Sequence, residues 1–157
     1  IDIEKWRNIM DRCALAFNYR KEKYNCAQAV AAPFADLLGT TPDELAAAMS
    51  GFGGGMGGCH EEVCGAVSGG VYVLSRLHAD PADRGGHKTV YPKAKEFRRR
   101  FQEVFGHTRC GDLRTVAPGA TEATPAAFRL GAHSHCDIMV VTAVEILEQM
   151  LAEAGER

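Results

Sequence analysis

The chain has 157 residues, of which 46% are apolar and 24% charged, with 18 Lys and Arg against 20 Asp and Glu. That length suits one domain, spanning residues 1–157, that can bury a core without staples, and the net charge of -2 weighs against a nucleic-acid partner bound by bulk charge. No apolar run reaches the roughly 18 residues of a membrane helix and no charged-then-apolar leader is visible, so no membrane insertion is expected.

In chain order, Ile3, Trp6, Met10, Cys13 and Phe17 recur at spacings of 3 and 4, one face of a helix over 3–17. Cys13 on that face reads as a small buried hydrophobe. The charged stretch Arg20 to Lys23 reads as a turn. Asn25 is a good N-cap for a helix from Cys26 to Leu38, which Gly39 ends and which Pro33 should kink or split. Thr41, Pro42 and Glu44 then open a helix through about Ser50.

Residues 51–58 hold six of the seventeen glycines, a turn-rich loop whose backbone can approach something closely. It has no GxxxxGK[ST] and no preceding strand, which weighs against a phosphate cradle. Glu61 to Leu77 reads as a helix, despite Gly65, Gly69 and Gly70. Each glycine costs a helix about 1 kcal/mol relative to Ala, so this small-residue stripe should be offset by close packing of another helix or a cofactor. Residues 79–89 read as a loop.

Pro92 opens a helix with Phe97, Phe101 and Phe105 on one face and Lys93, Lys95, Arg98, Arg99 and Arg100 on the other, a solvated face in the simplest reading. Gly106 ends it. Cys110 begins a brief helix through Thr115, 117–131 reads as a long loop, and Cys136 to Ala154 as a final helix capped by Ser134. No alternating strand pattern exceeds four residues. The expected fold is therefore all-α, a compact single-domain bundle of about six helices with a Gly-rich loop. The Phe-rich helix and the final helix offer more apolar face than such a monomer hides, so a homodimer is expected.

Six cysteines stand out: Cys13, Cys26, Cys59, Cys64, Cys110 and Cys136. With a core available, a disulfide framework loses its motive, and free thiols in a cytoplasmic protein point to metal or redox chemistry. There is no Cys-x-x-Cys, and no Cys-x-x-Cys-His for attached haem. Cys26, Cys64, Cys110 and Cys136 each fall at the first turn of a different expected helix, where unpaired N–H groups and a partial positive charge favour a thiolate. These four are expected to converge as metal ligands, with Cys59, His60 and His135 as further candidates and Cys13 apart in the core. Scattered structural cysteines are the alternative. GxSxG and HExxH are absent, which leaves a hydrolase little support.

Tyr24-Asn25-Cys26-Ala27-Gln28-Ala29-Val30, then Gly51 to Gly57, then Val63-Cys64-Gly65-Ala66-Val67-Ser68-Gly69 resemble the C_GCAxxG_C_C family, with Cys110 and Cys136 matching its third and fourth cysteines. The resemblance runs from about Phe17 to Leu151 and implies a small, mainly helical protein of inferred redox role. Cys59-His60 and His133-Ser134-His135 are departures from its pattern.

Three functions are expected in competition. The first is an iron–sulfur centre on the four cysteines, for electron transfer or sensing, with Gly54, Gly55, Gly65 and Gly69 letting backbone approach the cofactor. The second is a thiol–disulfide oxidoreductase or sensor, needing no cofactor, in which Cys64 attacks and Cys59 or Cys26 resolves. The third is a structural zinc module. The redox partner is not disclosed by the sequence.

Overall fold

The computed structural model describes residues 11–115 and 124–155. Helix α1 runs Arg12–Lys21, capped by Asp11, whose carboxylate accepts from the Ala14 amide. Ile3, Trp6 and Met10 lie outside the described residues. Arg20 and Lys21 belong to this helix rather than to a turn, because Arg20 is held at both ends of its fork: Nε donates to Asp137 at 2.9 Å and a terminal nitrogen to the Tyr24 carbonyl at 2.9 Å.

Asn25 caps α2 (Cys26–Ala31) in a full capping box with Gln28. Pro33 splits the rest of the expected helix into a 3₁₀ turn, Ala32–Phe34, and α3, Ala35–Leu38, which ends on Gly39 at φ 65°. Helix α4 is Pro42–Met49, capped by the Thr41 hydroxyl, and a 3₁₀ turn at Ser50–Phe52 leads into the Gly-rich loop.

Helix α5 is Gly65–His78. It starts four residues later than the pattern suggests, because Glu61 to Cys64 are claimed by another segment: Val63 pairs with Arg109 in an isolated antiparallel bridge. Tyr91–Phe105 forms α6, closed by Gly106 at φ 79°. Helix α7 is only Cys110–Leu113, shorter than expected. Part of the expected loop is a helix, α8, Pro125–Leu130; its 117–123 portion lies outside the described residues. Pro125 sits in the first turn of α8 and Gly131 ends it at φ 71°. A distant partner fixes its start, since Glu145 accepts from the Ala126 amide at 2.8 Å. Helix α9, His135–Ala154, is capped by Ser134, which accepts from the Asp137 amide.

Among the described residues the elements are helical, with no strand longer than the single bridge, and the fold is all-α. Short pieces such as α3, α7 and α8 add to the principal helices of the expected bundle. α9 is the central element: Val140, Val144 and Leu147 are fully buried, and it packs on α1, α2, α5, α6 and α8. Phe97 and Phe101 are fully buried in the same core. The apolar faces from which a homodimer is expected are thus covered within the chain.

The glycine stripe of α5 is the surface on which α2 lies. A β-carbon at Gly69 would sit 2.7 Å from the Ala27 carbonyl oxygen, and one at Gly65 3.1 Å from Cys26 Cβ. Gly70 faces the Phe97 ring instead. On α6, Arg99 and Arg100 both pair with Glu96, and Arg100 also reaches Glu153 on α9 at 2.7 Å. No helix among the described residues is long and apolar enough to cross a membrane.

Candidate redox centre

Four cysteines open helices. Cys26 is the first residue of α2, Cys64 the N-cap of α5, Cys110 the first residue of α7 and Cys136 the second residue of α9. All four line one cavity of about 200 Å³, together with Gly54, His60, Gly65, Leu113, Arg114, His135 and Met139. Cys13 lies elsewhere in the core, 3.8 Å from the Val141 carbonyl oxygen.

Two devices bring the thiols together. Packing of α2 on the glycine stripe of α5 places Cys26 beside Gly65 at the start of α5, next to Cys64. The Val63–Arg109 bridge places Cys64 beside Cys110: the Cys64 amide donates to Thr108 at 2.8 Å and the Cys110 amide to Glu62 at 2.9 Å. The Gly-rich loop closes one side of the cavity, with Gly54 and Gly55 in left-handed conformations. At Gly55 the crowding is severe, since a β-carbon would lie 2.6 Å from Cys110 Cβ.

The thiols differ electrically. Cys26 hydrogen-bonds to Cys136, which holds the Cys26 proton in place and pushes its pKa up, with burial adding to the effect. The same bond lowers the pKa of Cys136, whose thiolate also gains from the positive charge of Arg20. Burial pushes the Cys64 thiol up to about 11, although the first-turn amides of Ala66 and Val67 favour its thiolate. Burial also raises Cys110.

Two imidazoles reach the cavity. His60 Nδ1 lies 3.4 Å from the Cys110 sulfur. His135 Nε2 is buried without a hydrogen-bond partner, and such an orphaned nitrogen in a cavity wall is a vacant donor or acceptor site. Cys59 stays outside: it is exposed, donates to the Gly55 carbonyl at 3.0 Å and accepts from the Glu61 amide at 3.4 Å. Gly69 packs on α2 rather than on the cavity. Arg20 and Arg114 are the residues that the sequence pattern did not single out. Arg20 reads as part of a charged turn, and only its tertiary bond to Asp137 shows where its charge goes.

Fold and site together define an all-α protein with thiols from four helix starts gathered around one enclosed space. The family model described as "Putative redox-active protein (C_GCAxxG_C_C)" matches residues 24–150, and the chain belongs to that redox-active family. Comparison with curated proteins and with solved structures gave no match.

Proposed function

We propose that the protein is an electron-transfer or redox-sensing protein whose Cys26, Cys64, Cys110 and Cys136 hold an iron–sulfur centre. The observation that carries this reading is that four thiols from four separate helix starts wall a single cavity. Thiolate donors are those of iron–sulfur and zinc sites alike. Among the described residues, however, no three His, Cys, Asp or Glu side chains gather as ligands of one ion. A tetrahedral zinc site needs ligands about 2.3 Å from a point, whereas thiols spread around about 200 Å³ suit a group larger than one ion. When bound, an iron–sulfur centre supplies one-electron chemistry.

The chain's own residues do the rest. At the start of α5 the Ala66 and Val67 amides favour a Cys64 thiolate, against the burial that raises that thiol. Leu113 and Met139 keep the walls apolar, while Gly54 and Gly65 bring backbone up to them. Arg20 and Arg114 offset the negative charge of Cys136. The test is anaerobic purification and metal analysis. Brown protein containing iron and acid-labile sulfide is expected; colourless protein with neither, even after reconstitution, overturns the reading.

The Cys26–Cys136 hydrogen bond favours a second reading, thiol–disulfide exchange. In it the attacking thiolate is Cys136 rather than Cys64, which burial keeps protonated. Cys136 displaces one thiolate from a low-molecular-weight disulfide, and Cys26 then displaces the second, forming an internal disulfide. The low-molecular-weight disulfide is reduced and the Cys26–Cys136 disulfide forms; the one Cys26 proton passes to one leaving group and the negative charge of Cys136 departs on the other as a thiolate. Reversible loss of two titratable thiols with oxidised glutathione supports this reading; an unchanged thiol count removes it.

A further inference from the structure

We propose that His60 is a positioning residue for the redox centre, donating from Nδ1–H to the Cys110 sulfur and raising the centre's reduction potential through that bond. The inference rests on the iron–sulfur reading above and deepens it. His60 Nδ1 lies 3.4 Å from the Cys110 sulfur. A ligating thiolate carries no proton, so the imidazole nitrogen must be the donor there.

The loop holds the imidazole at this place against its own backbone preference. His60 has φ 64°, a region that residues with a β-carbon rarely occupy. Its amide donates to the Gly54 carbonyl at 2.8 Å, closing the loop behind it. Two glycines make room for the approach. A β-carbon at Gly55 would lie 2.6 Å from Cys110 Cβ and 3.0 Å from His60 Cα. One at Gly111, the residue after Cys110, would lie 2.8 Å from the His60 carbonyl oxygen. Backbone strain that persists in this way marks a position fixed by its surroundings, often at a functional site.

A hydrogen bond to a ligand sulfur draws negative charge away from it and makes adding an electron easier. His60 is exposed, so the imidazole needs no partner of its own and serves the sulfur from the solvent side. This role differs from that of a ligand. A ligand's loss empties the site, while a donor's loss leaves it filled at a changed potential.

The experiment measures iron, acid-labile sulfide and midpoint potential in reconstituted wild-type protein, His60→Gly and His60→Asn. Glycine tolerates the left-handed backbone and removes the donor. Asparagine also tolerates it, and its side-chain amide occupies the position of Nδ1. The expected result is full loading of all three. The midpoint of His60→Gly should be more negative by roughly tenfold in the reduction equilibrium, ~59 mV for one electron, and that of His60→Asn close to wild type. Loaded variants with unchanged potentials overturn the proposal, and so does loss of iron from both variants, which would make His60 a ligand. Wild-type protein that takes up neither iron nor sulfide fails at the earlier step and overturns the iron–sulfur reading together with this inference.

Discussion

Val63 and Arg109 form a single antiparallel bridge, and the residue after each is a cysteine of the cavity. This pairing lets Cys64 and Cys110, far apart in sequence, share one wall. It depends on the neighbouring Gly-rich loop lying flat against Cys110, which makes Gly55 a sensitive position. Gly55→Ala places a methyl group 2.6 Å from Cys110 Cβ at φ 70°. Gly57 has a similar φ, 61°, but nothing within 4 Å. Gly57→Ala should therefore lose only the ~1–2 kcal/mol of a left-handed non-glycine residue. Gly55→Ala should lose that and a further ~1–3 kcal/mol from overpacking, together with iron. Urea unfolding of the two variants checks this, and equal losses would mean that the Cys110 contact is relaxed.

A second substitution tests the packing of α2 on α5. Gly69→Ala should gain about 1 kcal/mol of helix propensity if nothing opposed it. The new methyl group meets the Ala27 carbonyl oxygen at 2.7 Å and Val30 Cβ at 3.1 Å, and a helix backbone cannot swing aside as a surface side chain can. The variant is therefore expected to be less stable by ~1–3 kcal/mol. A raised denaturation midpoint would show that propensity outweighs packing here.

These cases mark what the sequence discloses. Local chemistry was legible: Asn25, Thr41 and Ser134 cap helices, Pro33 splits one, and Gly39 and Gly106 end two. The placement of cysteines at helix starts was legible for the same reason, since caps and starts are local. The Glu61 to Cys64 segment was not. Two glutamates before an apolar run look like a first helical turn, and only the hydrogen bonds to Thr108 and Cys110 override that pattern. Helix α8 carried Pro125 and Gly131 as signals, but its composition reads as loop. Its start is secured by Glu145, nineteen residues beyond Ala126.

Cys59 separates the motif from its surroundings. Its sulfur is exposed and bonds only to loop backbone, at Gly55 and Glu61. A serine hydroxyl can make the same pair of bonds. Cys59→Ser should bind iron at the wild-type stoichiometry, whereas Cys110→Ser or Cys136→Ser should lose most of it. Iron analysis on the reconstituted proteins decides. Iron lost from Cys59→Ser would draw this thiol into the ligand set and enlarge the site toward the loop tip.

The remaining buried thiol gives a pH prediction free of the centre. Burial pushes Cys13 up to about 12, with Asp11, Glu145 and Glu148 adding to it, while an ordinary thiol ionises near 9.0. Below pH 9 both folded and unfolded chains keep this proton. Between pH 9 and 12 the unfolded chain releases it and the folded chain does not. The unfolded state then binds fewer protons, so stability falls as pH rises, by ~1.4 kcal/mol per pH unit for one such group. Cys13→Ala removes the thiol. Its stability at pH 7 should be somewhat lower through lost packing, but its decline between pH 9 and 10.5 should be shallower by about that slope. Urea unfolding of both proteins at pH 8, 9, 10 and 10.5 measures the difference, with the other buried thiols common to both. Parallel declines would mean that the Cys13 environment opens to solvent before the thiol is forced to ionise.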